Sequence, residues 1–187
     1  MYQKFSAHLD LAKSYWTKHL KAGDTVIDAT CGNGHDTLFL TQFPLKTLFA
    51  IDIQPEAIIS TKKLLEKHQA SDRVSLHQGS HENFNWLPPH SPFHLIIYNL
   101  GYLPRANKNF TTQTKTTLSS LNSATHILAD QGALSITCYP GHSEGEKEEI
   151  AVLSWAESLC PKQWLVCYHR WMNRKKSPTI LWVQRNK

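Results

Sequence analysis

The sequence predicts one α/β domain over residues 1–187, with a seven-stranded, mostly parallel sheet, helices on both faces and one antiparallel strand. Three observations predict it. Apolar runs of strand length alternate with helix-period stretches along most of the chain, the pattern of a parallel sheet covered on both faces. The last two apolar runs have no helix between them, so one strand must return antiparallel at or near an edge. The length of 187 residues suits one full core rather than two, and 41% hydrophobic with 19% charged residues is a globular composition.

The elements follow in order. A helix is expected over residues 6–20, after which "KAGD" turns into the strand "TVIDA". A glycine loop leads to a helix from Asp36 to Gln42, then the strand "TLFAID". The next helix opens at Pro55, where a first-turn proline costs no hydrogen bond. "VSLH" is a short strand before a polar loop, and "FHLIIYN" is the next strand. Residues 112–129 read as a helix and "GALSITCY" as a strand. "EGEKEEIAVLSWAESL" reads as a helix whose early glutamates suit the helix dipole. "QWLVCYHRW" and "TILWVQR" close the sheet, joined by "MNRKKSP".

Several classes are set aside. No apolar run reaches the ~20 residues of a membrane span, and the N-terminal stretch lacks a signal peptide's apolar segment and cleavage site, so a cytoplasmic protein is expected. The four cysteines form no CxxC pair and the eleven histidines no HExxH, so neither disulfide nor metal is expected. The net charge of +5 leans toward a polyanionic partner, and no acidic residue follows Glu157. That basic end is either a phosphate-contacting or simply a solvated face.

The stretch "DATCGNGHDT" carries the first functional signal. In an open α/β sheet the loop after the first strand borders the ligand crevice. Gly32 and Gly34 fit a close backbone approach, but Thr37 stands where the dinucleotide fingerprint needs a small residue. Asp28, at the strand end, would repel a pyrophosphate and suits a ligand ammonium. No Gly-Lys-Ser/Thr follows, which excludes a P-loop. Asp52 ends the second strand, placed to accept both ribose hydroxyls. An adenosine bearing an amino acid and no phosphate fits best, and that is S-adenosylmethionine; an ordinary βα turn is the plain alternative.

"IIYNLGYLP" adds an independent signal, because Asn99 and Tyr102 have the N-x-x-Y spacing of amino methyltransferases. Methyl transfer to nitrogen needs the lone pair in line with the methyl group, so the amine must be held by its own N–H groups. The Asn99 oxygen can accept one, and Tyr102 can stack on a base. A strand end with a glycine turn and a core aromatic is the alternative.

Together "DATCGNGHDT", "IDIQPEAI", "YNLGYLP" and "YPGHSEGEKE" resemble the family long labelled putative rRNA methylases, whose characterised members are MnmM-type tRNA 5-aminomethyl-2-thiouridine methyltransferases. The resemblance runs over nearly the whole chain. It implies a class I, Rossmann-like methyltransferase fold, S-adenosylmethionine as cofactor, and methylation of the aminomethyl nitrogen on a wobble uridine in the tRNA anticodon loop. It also implies site residues. Asn33, Asp36 and Thr37 should line the cofactor beside Gly32 and Gly34, Asp52, Ile53 and Gln54 should hold its ribose and adenine side, and Ser80 and His81 should border the adenine. Asn99, Leu100 and Tyr102 should face the methyl group. Departures at Arg105 to Lys108, Pro140 and Ser177 fall on expected substrate loops.

A primary alkyl amine must lose a proton before it can attack. His142, in "YPGH", is the first candidate base, though orienting the backbone or contacting phosphate fits it equally; His8 is a weaker one. RNA phosphates would meet Arg105, Lys108, Arg174, Lys175 and Lys176. A homodimer would supply further RNA surface. The rivals are an rRNA methyltransferase, a small-molecule methyltransferase and an RNA-binding module without catalysis.

Overall fold

The computed structural model describes residues 7–89, 92–101 and 111–187. Its elements are α1 (Ala7–His19), β1 (Thr25–Asp28), α2 (His35–Leu40), β2 (Thr47–Asp52), α3 (Pro55–Lys67), β3 (Val74–Gln78) and β4 (Phe93–Asn99), followed by α4 (Thr114–Ile127), β5 (Leu128–Cys138), α5 (Ser143–Glu157), β6 (Trp164–His169) and β7 (Thr179–Arg185). The strands form one seven-stranded sheet in the order β3-β2-β1-β4-β5-β7-β6. β7 runs antiparallel to both β5 and β6. The other neighbours pair parallel. The expected antiparallel strand is therefore β7, one place in from the edge, with β6 outside it.

Both faces of the sheet are covered, which is why the central strands read as apolar runs. Successive side chains of β4 alternate between the two cores. Leu95 and Ile97 join Ala12 and Trp16 of α1. Ile96 and Tyr98 join Leu121 and Ala124 of α4 and Val152 and Ala156 of α5. Polar tips in these cores are paired: Trp16 Nε1 donates to Ser135 Oγ at 2.8 Å, and the Tyr98 hydroxyl bonds Ser120 Oγ at 2.9 Å. Buried without a partner, each of these groups would destabilise the fold.

Several boundaries differ from the sequence reading, most of all at the start of β5. The helix expected over 112–129 ends at Ile127, and β5 begins at Leu128 rather than Gly132. The turn-like "ADQG" is a bulge within the strand: Phe93 pairs with Leu128 while Leu95 pairs with Ala133, and Gln131 carries the chain through at φ 63°. α2 is also shorter than expected, ending at Leu40.

The topology fixes the site. From β1 the chain winds outward to β2 and β3, while β4 lies on β1's other side and leads to β5. The carboxyl ends of β1 and β4 therefore flank the switch point where an open α/β sheet takes its ligand. Among the described residues no helix is long and apolar enough to cross a membrane.

Candidate active site

A cavity of about 860 Å³ opens at the switch point, a size suited to a small-molecule cofactor. Its walls come from the loops after β1, β2, β3, β4 and β5, from α1 through Leu9 and Lys13, and from Lys176 and Pro178 before β7. Of the sequence-predicted residues, Gly32, Asn33, Asp36, Asp52, Ile53, Gln54, Ser80, His81, Asn99, Leu100, His142 and Lys176 line it.

Asp28, Gly34 and Thr37 do not face it, a correction to the sequence reading. Asp28 alternates with the core residue Ile27, so its carboxylate turns under the loop rather than out of the strand end. There it accepts the Thr37 hydroxyl at 2.6 Å and the Thr30 N–H at 3.3 Å, with Asp28 and Thr37 both at 0% exposure. Burial pushes the Asp28 carboxyl up to about 7. This side chain fastens the loop to α2. Gly34 sits in the left-handed region at φ 81°, and a Cβ there would lie 2.9 Å from the Thr61 Cα of α3. The glycine lets α2 start against α3 rather than letting a ligand approach.

Asp52 does face the cavity, at the tip of β2. One of its oxygens accepts the Gly32 N–H and the other the Gln54 N–H, each at 3.0 Å. A carboxylate oxygen offers two lone pairs, so both can still accept a hydroxyl. Burial raises its pKa, partly countered by these backbone bonds. Beside it Ile53 presents an apolar surface at 65% exposure. Burial lowers the His81 imidazole to about 4, so it is neutral, and it bonds the Ala29 backbone. Its Nε2 has no partner among the described residues. A polar carboxylate rim, an apolar ledge and an unpaired ring nitrogen suit a nucleoside better than a metal or a phosphate. No metal-holding cluster of His, Cys, Asp and Glu occurs among the described residues.

At the other end lies Asn99. Its backbone N–H donates to Thr30 Oγ1 at 2.7 Å, and its side-chain Nδ2 donates to Asp36 Oδ2 at 2.9 Å. Asp36 Oδ1 lies 3.4 Å from Lys13 Nζ. Near them the His8 ring meets Tyr139 edge-on at 5.7 Å. Burial lowers the His8 pKa and raises that of Tyr139 well above its usual value. The base of the segment after Asn99 is tied: Thr112 N–H donates to the Gly101 carbonyl at 2.9 Å, and the Thr112 hydroxyl donates to buried Glu148 at 2.7 Å. Tyr102, Arg105 and Lys108 lie outside the described residues.

His142 lines the cavity and also orients backbone, one of the alternatives the sequence left open for it. It caps α5, its Nδ1 accepting the Gly145 N–H at 3.1 Å. A neutral imidazole has one lone pair, and here the helix cap uses it, which removes His142 as the expected base. Gly145 is required there, since a Cβ would come 2.2 Å from the Tyr139 carbonyl oxygen. Arg174 and Lys175 share the exposed loop of Lys176 but do not reach the wall. The sequence reading missed Lys13, Tyr139, Thr111 and Thr112. Tyr139 sat inside a quoted motif, whereas nothing near Lys13 in the chain marks it.

Residues 48–185 match the family described as putative rRNA methylase. The chain is 34% identical to a tRNA (mnm(5)s(2)U34)-methyltransferase, chloroplastic, of Arabidopsis thaliana, with 93% of this chain and 68% of that protein covered. Among solved structures it is similar to a putative rRNA-methylase from Clostridium thermocellum, at TM-score 0.91 and 31% identity over 99% of this chain and 100% of the other. A putative methyltransferase from Streptococcus mutans in complex with SAH follows at TM-score 0.86 and 30% identity, with 99% of each chain covered.

Proposed function

The chain belongs to the putative rRNA methylase family and is an S-adenosylmethionine-dependent methyltransferase, and from that premise we propose that it methylates the aminomethyl nitrogen of a wobble uridine in tRNA. Residues 1–187 act as a single methyltransferase domain. The observation that carries this reading is the pairing, in one cavity, of a ribose-accepting carboxylate at Asp52 with an immobilised amide at Asn99. Similarity to a protein named for a wobble-uridine tRNA product supports the substrate.

In this reading Asp52 accepts the ribose hydroxyls with its spare lone pairs, while Ile53 and Leu100 offer apolar faces to the adenine. S-adenosylmethionine, when bound, supplies an electrophilic methyl group. The Asn99 side-chain oxygen takes an N–H of the acceptor amine and so aims its lone pair. Entry into a cavity with buried and apolar walls strips water from the amine and favours its neutral, nucleophilic form. The anticodon loop is the element of tRNA that fits, since bases splayed from a loop can enter such a cavity while paired ones cannot. Lys176 at the wall, with Arg174 and Lys175 on the same loop, meets phosphates.

The test is methyl transfer from labelled S-adenosylmethionine to tRNA carrying 5-aminomethyl-2-thiouridine, with rRNA and unmodified tRNA alongside. Label recovered as 5-methylaminomethyl-2-thiouridine is the expected result. Label in rRNA alone would move the substrate to the family's descriptive name and overturn the tRNA reading.

A further inference from the structure

Resting on that amine-methylation reading, we infer that Asp36 is the positioning residue of the acceptor site, and that it dictates which end of the Asn99 amide faces the cavity. An asparagine amide has a donor end and an acceptor end of nearly the same shape, and left to itself it can present either. A carboxylate only accepts. The 2.9 Å contact from Asn99 Nδ2 to Asp36 Oδ2 therefore admits one orientation, with the Asn99 oxygen turned away from Asp36. That oxygen is the atom able to take an N–H from an incoming amine. With the NH₂ end outward instead, donor would face donor and the nitrogen lone pair would not be aimed.

Asp36 is itself fixed. Its other oxygen faces Lys13 Nζ at 3.4 Å, and the side chains of this pair are only 28% and 13% exposed. The Lys13 ammonium also lies 5.0 Å from the centre of the Phe39 ring, a favourable cation–π position. Thr30 holds the Asn99 main chain. Three elements far apart in sequence thus close on one amide: α1 through Lys13, α2 through Asp36, and the end of β4. Asp36 is thus held through both of its oxygens, one by Asn99 and one by Lys13, which fixes the carboxylate as the support of the amide.

Asp36→Asn gives a specific result. The Lys13 ammonium can bond only the single oxygen of the new amide, which turns the new NH₂ toward Asn99. Asn99 then swings its own oxygen inward and its NH₂ outward. The substitution inverts the catalytic amide rather than merely loosening it. The turnover number should fall about 100-fold, as for small misplacements of a reacting group, while KM for tRNA and the affinity for S-adenosylmethionine change little. Adding Asn99→Asp to that variant rebuilds the arrangement in mirror form: the new amide donates to one carboxylate oxygen, and the other faces the amine. This pair should regain about tenfold in turnover over the single variant.

The experiment measures turnover, KM and cofactor affinity for the wild type, Asp36→Asn and the swapped pair. It also follows the ¹⁵N-labelled Asn99 side-chain amide by NMR in protein without tRNA. One Asn99 amide proton, bonded to a carboxylate, should resonate apart from its partner and exchange slowly, and lose both traits in Asp36→Asn. Unchanged turnover in Asp36→Asn, a parallel loss of turnover and cofactor affinity, or no rescue by the swap would each overturn the inference while methylation of tRNA stands. Failure of the wild type to methylate tRNA would instead sink the functional reading. The Asn99 signal then decides the clamp separately: a signal indifferent to Asp36→Asn overturns it, and a signal that moves supports it.

Discussion

The two ends of the cavity are built by opposite means. At the end assigned to the cofactor, side chains are held by the loops at the ends of adjacent strands: Asp52 bonds Gly32 of the β1 loop and Gln54 of its own, and Asp28 bonds Thr30 and Thr37. At the acceptor end the partners come from distant elements, Lys13 with Asp36 and Asp36 with Asn99. A site made from strand-end loops is set by local geometry once the sheet forms. A site made from α1, α2 and β4 depends on how those elements pack. The first kind suits a ligand shared by many enzymes, and the second suits a substrate particular to one.

The largest expected effect comes from the loop beneath the cofactor end. Asp28 is wholly buried, and its folded pKa of about 7 stands above the ordinary 3.8. A raised folded pKa means the folded state binds the proton more tightly. The associated stability is present below about pH 4 and is lost as pH climbs through 7, a difference of roughly 4 kcal/mol for a shift of this size. Asp28→Asn removes the charge while its oxygen accepts the Thr30 N–H and its NH₂ donates to the Thr37 hydroxyl, reversing that second bond. It should match the wild type at pH 4, exceed it in Tm at pH 8, and still bind S-adenosylmethionine. Parallel Tm-against-pH curves for the two proteins would show that Asp28 is not a strained buried carboxylate.

Asp52 separates a fastening carboxylate from a binding one. Asp52→Ala should weaken S-adenosylmethionine binding about 100-fold, the worth of two charge-assisted hydrogen bonds, with calorimetry as the readout. If Asp28→Asn weakened binding as much as Asp52→Ala did, the contrast between the two aspartates would collapse.

The same contrast explains what could be read in the sequence. The strands "TLFAID", "FHLIIYN" and "TILWVQR" have the expected boundaries, because runs buried on both faces end abruptly at polar turns. β5 starts earlier than expected because a bulge at Gln131 imitates a turn. Asp52 was legible because a strand tip followed by a helix-starting proline has little freedom. Asp28 does not line the crevice as expected, and alternation from Ile27 already turns it away. Lys13 could not be seen at all: its partner Asp36 is set by the packing of Trp16 and Phe39 between α1 and α2, which no local pattern encodes. Likewise, the helix-capping task of His142 depends on where α5 begins.

The smallest effect tests whether the basic loop before β7 belongs to the acceptor end. Lys176 lines the cavity, and Lys175 beside it is exposed. Phosphate contacts add affinity without selecting a base. Lys175→Gln with Lys176→Gln should therefore raise KM for tRNA by a few fold at moderate salt and leave cofactor affinity alone. The slope of log affinity against log salt should become shallower by about 1 for each phosphate that is no longer neutralised. Turnover at saturating tRNA should hold, because these lysines lie outside the Lys13–Asp36–Asn99 chain. A fall in turnover with an unchanged salt slope would place them among the groups that position the amine, and the acceptor end would then extend from α1 across to β7.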